Sequence, residues 1–95
     1  MERAKKMNAI VKRRGHTESY DNKKVYASCY FACRSSHMKE IPAEKIAAKV
    51  TNSVSREVLK KGVLTSDEIF KLVAKELRKH DEDSAFMYET HRDIS

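Results

Sequence analysis

Lys12 and Arg13 stand just before the turn at Arg14-Gly15, and two cations set against a glycine turn can hold anionic oxygens close to exposed backbone donors. Lysine brings a compact point charge and arginine a planar fork of donors, and a phosphate accepts both. Gly15 lets the backbone turn through a positive φ close beside them. Lys23 and Lys24 then return at the expected start of a helix, just after Asp21, where the positive end of the helix dipole would add to their field. Acids are the favoured residues at such a position, so cations there argue for an anionic ligand. The plainer alternative is a solvated basic hairpin, which an isolated Lys-Arg-Arg-Gly run in a basic chain more often is.

The charge balance points the same way. The chain has 95 residues, with 20 Lys and Arg against 14 Asp and Glu, for a formal charge of +6. Eight of the cations and only three of the acids fall in the first 24 residues, whereas the other 71 residues hold twelve and eleven. The excess sits in one quarter of the chain, and an anion, small or polymeric, is the partner it predicts. A chain of this length makes one small domain, and 40% apolar residues without tryptophan give it a modest core. A multi-step enzyme with its own substrate domain does not fit. No stretch approaches the roughly 20 apolar residues of a membrane span, and the basic residues at the start have no apolar run behind them. The reading is a soluble, cytoplasmic protein without a membrane partner.

Local structure must hold these side chains in place. Residues 1–8 read as a flexible basic tail and 9–95 as the folded domain. Residues 9–13 and 16–20 read as two short strands around the glycine turn. A two-stranded hairpin is marginal alone, so it must lean on something else in the fold. Asp21 is a helix N-cap candidate for a helix over 22–34, with an apolar stripe of Val25, Cys29, Ala32 and Cys33 that Tyr26, Tyr30 and Phe31 broaden. A polar loop over 35–41 leads to Pro42, suited to the first turn of a second helix because its missing N–H would have had no partner. That helix runs to 61 with Ile46, Val50, Val54 and Val58 as its stripe, Ala47 and Leu59 beside them, and Gly62 as its left-handed cap. Thr65 and Glu68 match a capping box. They open a third helix whose buried face is Ile69, Phe70, Leu72, Val73 and Leu77, and residues 84–92 form a short fourth. The predicted fold is mainly α, a small α+β domain in which an N-terminal β-hairpin covers a bundle of about four helices.

Cys29 and Cys33 share a helix face and read as reduced thiols, since a bridge at that spacing closes only a tiny loop. Adding His37 gives three residues at helical spacing, which is not the paired-knuckle pattern of a zinc site, and no metal is predicted.

The run Ile10-Val11-Lys12-Arg13-Arg14-Gly15-His16-Thr17-Glu18-Ser19-Tyr20-Asp21-Asn22-Lys23-Lys24 resembles the opening of the ATP-cone, a nucleotide-binding regulatory domain found at the N-terminus of many ribonucleotide reductase large subunits. That family begins with an apolar strand, then Lys-Arg, one residue and Gly, a Glu three residues on, and a Lys at the start of the first helix. The likeness continues through Gly62-Val63-Leu64-Thr65-Ser66-Asp67-Glu68-Ile69 and covers residues 9–86. It implies a stand-alone cone that binds ATP or dATP under the hairpin without hydrolysing it, with Mg2+ carried by the nucleotide, and that signals allosterically to a protein partner or through a homo-oligomer. Position by position, it implies Lys12 and Arg13 at the phosphates, Lys24 as a third phosphate contact, and Ile10 against the adenine. Glu18 and Asp21 would lie near base and ribose, with Thr65 and Ile69 at the base end. The family's longer last helix carries a basic residue near its end; here that helix is short and polar, and Arg92 is not assigned to the ligand. Neither the catalytic barrel nor the cysteine-rich zinc ribbon to which cones are fused elsewhere is in this sequence.

Residue by residue, plainer roles stand beside these. Glu18 suits a cross-strand partner for a hairpin cation, Asp21 and Thr65 suit helix caps, and Ile69 suits the core. Catalysis is not predicted: the sequence has no G-x-x-x-x-G-K-[ST] loop and no carboxylate pair at a metal-binding spacing. The reading from another class is a small basic nucleic-acid-binding protein, with Tyr20 and Tyr26 available to stack bases. Helices two and three carry acids among their bases, and no recognition helix is evidently basic, so nucleic acid ranks below a nucleotide as partner.

Overall fold

Arg14 and Gly15, at φ 44° and 89°, form the two-residue connection of a hairpin; positive φ at both positions matches the connection to the right-handed twist of its strands. The computed structural model describes residues 9–91, so the basic tail over 1–8 and Arg92 lie outside the described residues. The order of elements is β1 (Ile10–Arg13), β2 (His16–Ser19), α1 (Asn22–Ser35), α2 (Glu40–Lys61), β3 (Val63–Thr65), α3 (Ser66–His80) and α4 (Glu82–Thr90). The predicted architecture is found, with one strand more than expected. β3 pairs parallel to β1 and makes a three-stranded sheet in the order β2-β1-β3.

Local chemistry sets most of the boundaries. Asp21 accepts from the Lys23 N–H at 2.9 Å and caps α1 as predicted. The helix ends one residue later than expected, in a Schellman arrangement without glycine: Met38 N–H donates to the Cys33 carbonyl, His37 N–H to that of Arg34, and His37 itself takes φ 73°. Because this stop is abrupt, α2 starts at Glu40 rather than Pro42. The proline falls within the first turn, where no amide partner is lost. Gly62, at φ 79°, ends α2 and its N–H donates to the Val58 carbonyl. The last helix covers 82–90 rather than 84–92 because Asp81 serves as its cap, accepting from Ser84 N–H.

The core is built from small side chains. Val25, Cys29, Ala32 and Cys33 of α1 meet Ala43, Ala47, Val50, Val54 and Val58 of α2, Val73 and Leu77 of α3, and Ala85 of α4. Such seams allow close helix approach, since the distance between axes follows the side chains at the contact. Val11 and Leu64 seal the sheet onto this bundle. Leu59, predicted beside the α2 stripe, is half exposed, as is Phe31 of α1, whose ring meets His91 edge-on. Phe70 and Ile69 are only partly buried; Phe70 stacks on Tyr88 at 4.9 Å.

Two polar links cross this core. The buried Tyr20 hydroxyl and Ser55 Oγ lie 3.0 Å apart and fasten the end of the hairpin to α2. Ser84 Oγ donates to Asp81 at 2.6 Å and meets Ser36 Oγ at 3.0 Å, fastening α4 to the end of α1. Among the described residues no helix is long and apolar enough to cross a membrane.

Tyr20→Phe keeps the ring and strands Ser55, so it should lower stability by about 1–2 kcal/mol in urea denaturation; an unchanged midpoint would mean the link contributes nothing. Both cysteines are buried free thiols. Burial, with a smaller contribution from Cys33, pushes the Cys29 thiol from 9.0 up to about 12. The native state therefore holds that proton more tightly than the unfolded chain, and the stabilisation is complete below the unfolded value and lost as pH rises toward the folded one. Tm should fall steadily from about pH 9 upward, and Cys29→Ala should flatten that alkaline slope relative to its own value at neutral pH.

Candidate functional site

Because β1 is the central strand, its residues meet neighbours on both sides. Lys12 stands opposite Thr17 of β2 and opposite Thr65 of β3, and directly paired residues share a sheet face. Ile10 lies on that face one pleat further from the turn, half-buried between Ser19 and Val63. The other face carries Val11 with Glu18 and Leu64, and then Arg13 with His16.

Glu18 is held between two cations. One carboxylate oxygen lies 3.4 Å from Arg13 Nε and the other 4.0 Å from Lys24 Nζ. The structure thus brings Arg13, Glu18 and Lys24 together across the hairpin and the start of α1. All three are partly solvated, and such ion pairs contribute only about 0.2–1 kcal/mol, so they exchange partners easily. Asp21 is exposed, and its cap bond to Lys23 N–H engages one of its oxygens.

Thr65 is at once the last residue of β3 and the N-cap of α3. Its Oγ1 accepts from Glu68 N–H at 3.0 Å, and the Glu68 carboxylate accepts from Thr65 N–H at 2.8 Å. The reciprocal bonds fix the mouth of the helix. Pairing with Lys12 then aims that mouth at the hairpin tip. Between them lies an open cleft of about 550 Å³, lined by residues 12–17 and 65–67. Ligand sites commonly occupy 300–1,000 Å³. The cleft gathers Lys12, Arg13, Arg14 and His16 on one wall and Thr65, Ser66 and Asp67 on the other, with Asp67 also 3.6 Å from Lys71 Nζ.

Of the residues singled out in the sequence, Lys12, Arg13 and Thr65 line this cleft. Glu18 and Lys24 join it through Arg13. Ile10 and Ile69 lie outside its lining, with Ile69 packed against the core. Arg14, His16, Ser66 and Asp67 were not singled out. Only the β1–β3 register places them together, although their adjacency to Arg13 and Thr65 was open to view. Cations, hydroxyls and a helix N-terminus around an open concavity form a receptor for oxyanions. Among the described residues no group of three or more His, Cys, Asp or Glu is gathered to hold a metal ion.

A family model described as the ATP cone domain matches residues 8–93, nearly the whole sequence. The chain belongs to the ATP-cone family. No curated protein and no solved structure matches it. ATP-cones are regulatory domains that bind adenine nucleotides, and in this cone the family's Lys-Arg pair forms one wall of the cleft.

Thr65→Ala should destabilise the cone by about 1 kcal/mol in chemical denaturation through loss of the capping box, and Thr65→Ser should retain most of that stability.

Proposed function

We propose that this cone is a non-hydrolytic adenine-nucleotide sensor that binds ATP or dATP and passes the signal on through a protein partner or through self-association. The observation that carries the proposal is the cleft lined by Lys12, Arg13 and Arg14 together with Thr65, Ser66 and Asp67 at the start of α3. A triphosphate suits that site because its charge is spread over several oxygens, each able to take a lysine, an arginine or a helix amide.

In this reading Lys12 and Arg13 hold the phosphates. Lys24 supplies a third contact after leaving Glu18, a trade between weak, solvated ion pairs. Glu18, so released, and Asp21 make polar contacts toward base and ribose. Ile10 offers an apolar surface to the adenine, while Thr65 and Ile69 belong to the α3 side. Mg2+ arriving with the nucleotide would find the Asp67 carboxylate in the cleft, and one carboxylate plus substrate phosphates is a common way to hold that ion. The non-hydrolytic part of the reading comes from the family, whose cones are regulatory domains. A regulatory readout follows if the nucleotide draws the hairpin against α3, since Tyr20 and the start of α1 follow directly on β2.

The test is calorimetry and thermal denaturation with ATP and dATP. Ligand at 100 times Kd should stabilise the cone by about 2.7 kcal/mol, a rise in Tm on the order of 10 °C. Lys12→Ala combined with Arg13→Ala should abolish it. No heat and no shift at millimolar nucleotide with the wild-type chain would overturn the reading.

A further inference from the structure

The helical bundle carries its cations in two different ways. On α3, Lys71 pairs with Asp67 at 3.6 Å, Lys79 with Glu76 at 3.2 Å, and Arg78 with Glu89 at 2.7 Å. On α2 four of the five bases share one face. Lys45, Lys49, Asn52, Arg56 and Lys60 follow one another at steps of four, three, four and four, which puts them on one side of the helix. All five are exposed. Among the described residues Lys45 and Lys49 form no hydrogen bond or ion pair, and Arg56 makes a single long contact with Ser53 at 3.5 Å. Lys60 alone meets an acid, Glu57 at 3.7 Å on the flank. Glu44 stands about a quarter-turn from the line. Over Glu40–Lys61 the net charge is only +2, five bases against three acids, yet four of the bases gather in a cationic track roughly 22 Å long, given a rise of about 1.5 Å per residue.

We propose that this outer face of α2 docks the phosphate backbone of a nucleic acid. An interface with another protein draws its affinity from an apolar or aromatic centre and is depleted of lysine; the track has three lysines and no aromatic residue. A membrane surface calls for an apolar face beside the cations. The exposed apolar residues of α2, Ile41 and Leu59, stand singly near opposite ends of the helix instead. A nucleic acid needs neither, because neutralising phosphates and releasing their counterions supplies the binding free energy. Contact through phosphates alone carries no base sequence, so the binding is sequence-independent. The face lies on a different element from the nucleotide cleft, and the inference stands whether or not the cone binds ATP.

Fluorescence anisotropy of a labelled random-sequence duplex, titrated at several NaCl concentrations, tests it. Three to four phosphate contacts on α2 predict that Lys45→Glu, Lys49→Glu and Arg56→Glu together flatten the log-log salt slope by about 3 and weaken binding at least about tenfold at low salt. Lys12→Ala with Arg13→Ala should leave most of the binding in place. The α2 variant should keep its thermal midpoint and any ATP-induced shift, since all three side chains are solvated. The milder Lys45→Gln with Lys49→Gln should flatten the slope by about 2. The proposal is overturned if the wild-type chain does not bind duplex at low salt, if the α2 substitutions leave the slope unchanged, or if polyglutamate or anionic vesicles bind as tightly as the duplex.

Discussion

Three residues of β3 hold this molecule in its working shape. Val63, Leu64 and Thr65 pair with Ile10, Val11 and Lys12, and the Ile10 N–H adds a bond of 2.8 Å to the Gly62 carbonyl. A two-stranded hairpin has too little apolar surface to be stable in water. The third strand converts it into a sheet whose inner residues, Val11 and Leu64, seal the bundle. Parallel pairing also ties the start of the chain to the joint between α2 and α3, across more than half the sequence. Thr65 belongs to both partners of that joint. Its backbone completes the sheet and its side chain opens α3, so the register that stabilises the hairpin also sets the helix mouth opposite the cations.

The elements with local signatures were legible from the sequence. Asp21 and the Thr65–Glu68 box announced two helix starts, Gly15 a tight turn, and Val25, Cys29, Ala32 and Cys33 a buried stripe, because each rests on chemistry within a few residues. β3 had no such signature. Three residues between a glycine cap and a helix N-cap show no period, and their partner lies far away in the chain. The end of α1 was read one residue short for a different reason: His37 takes the left-handed position that glycine usually fills. In the cleft, Lys12, Arg13 and Thr65 could each be named from residue type and resemblance, but their meeting depends on the β1–β3 register. Arg14, His16, Ser66 and Asp67 were missed for that reason.

The cleft is electrostatically restrained in its free form. Glu18 draws Arg13 and Lys24 toward itself, which keeps like charges around the hairpin from repelling without obstruction. Both pairs are solvated, so the restraint is weak. On the proposed reading an incoming polyanion would exchange one carboxylate for several phosphate oxygens, with bidentate charge-assisted bonds favouring the exchange. The capping box divides the same labour on the opposite wall. Glu68 satisfies the Thr65 N–H and Thr65 satisfies the Glu68 N–H.

Net charge therefore says less about partners than the state of each cation does. The cations Lys71, Arg78 and Lys79 of α3 spend their field on acids one turn away or on α4, and they project little beyond the surface. Those of the hairpin converge on a concavity, where low-dielectric walls focus the field and reduce screening by salt. Those of α2 stand in a line on a convex face, open to solvent, where interactions fade beyond a Debye length of about 8 Å at physiological ionic strength. A compact anion gains most where several charges point at one place, and an extended polymer gains most where they are spread along a track. The helix period separates the second arrangement from the first, since α2 gathers four of its five bases on one side while its net charge is only +2.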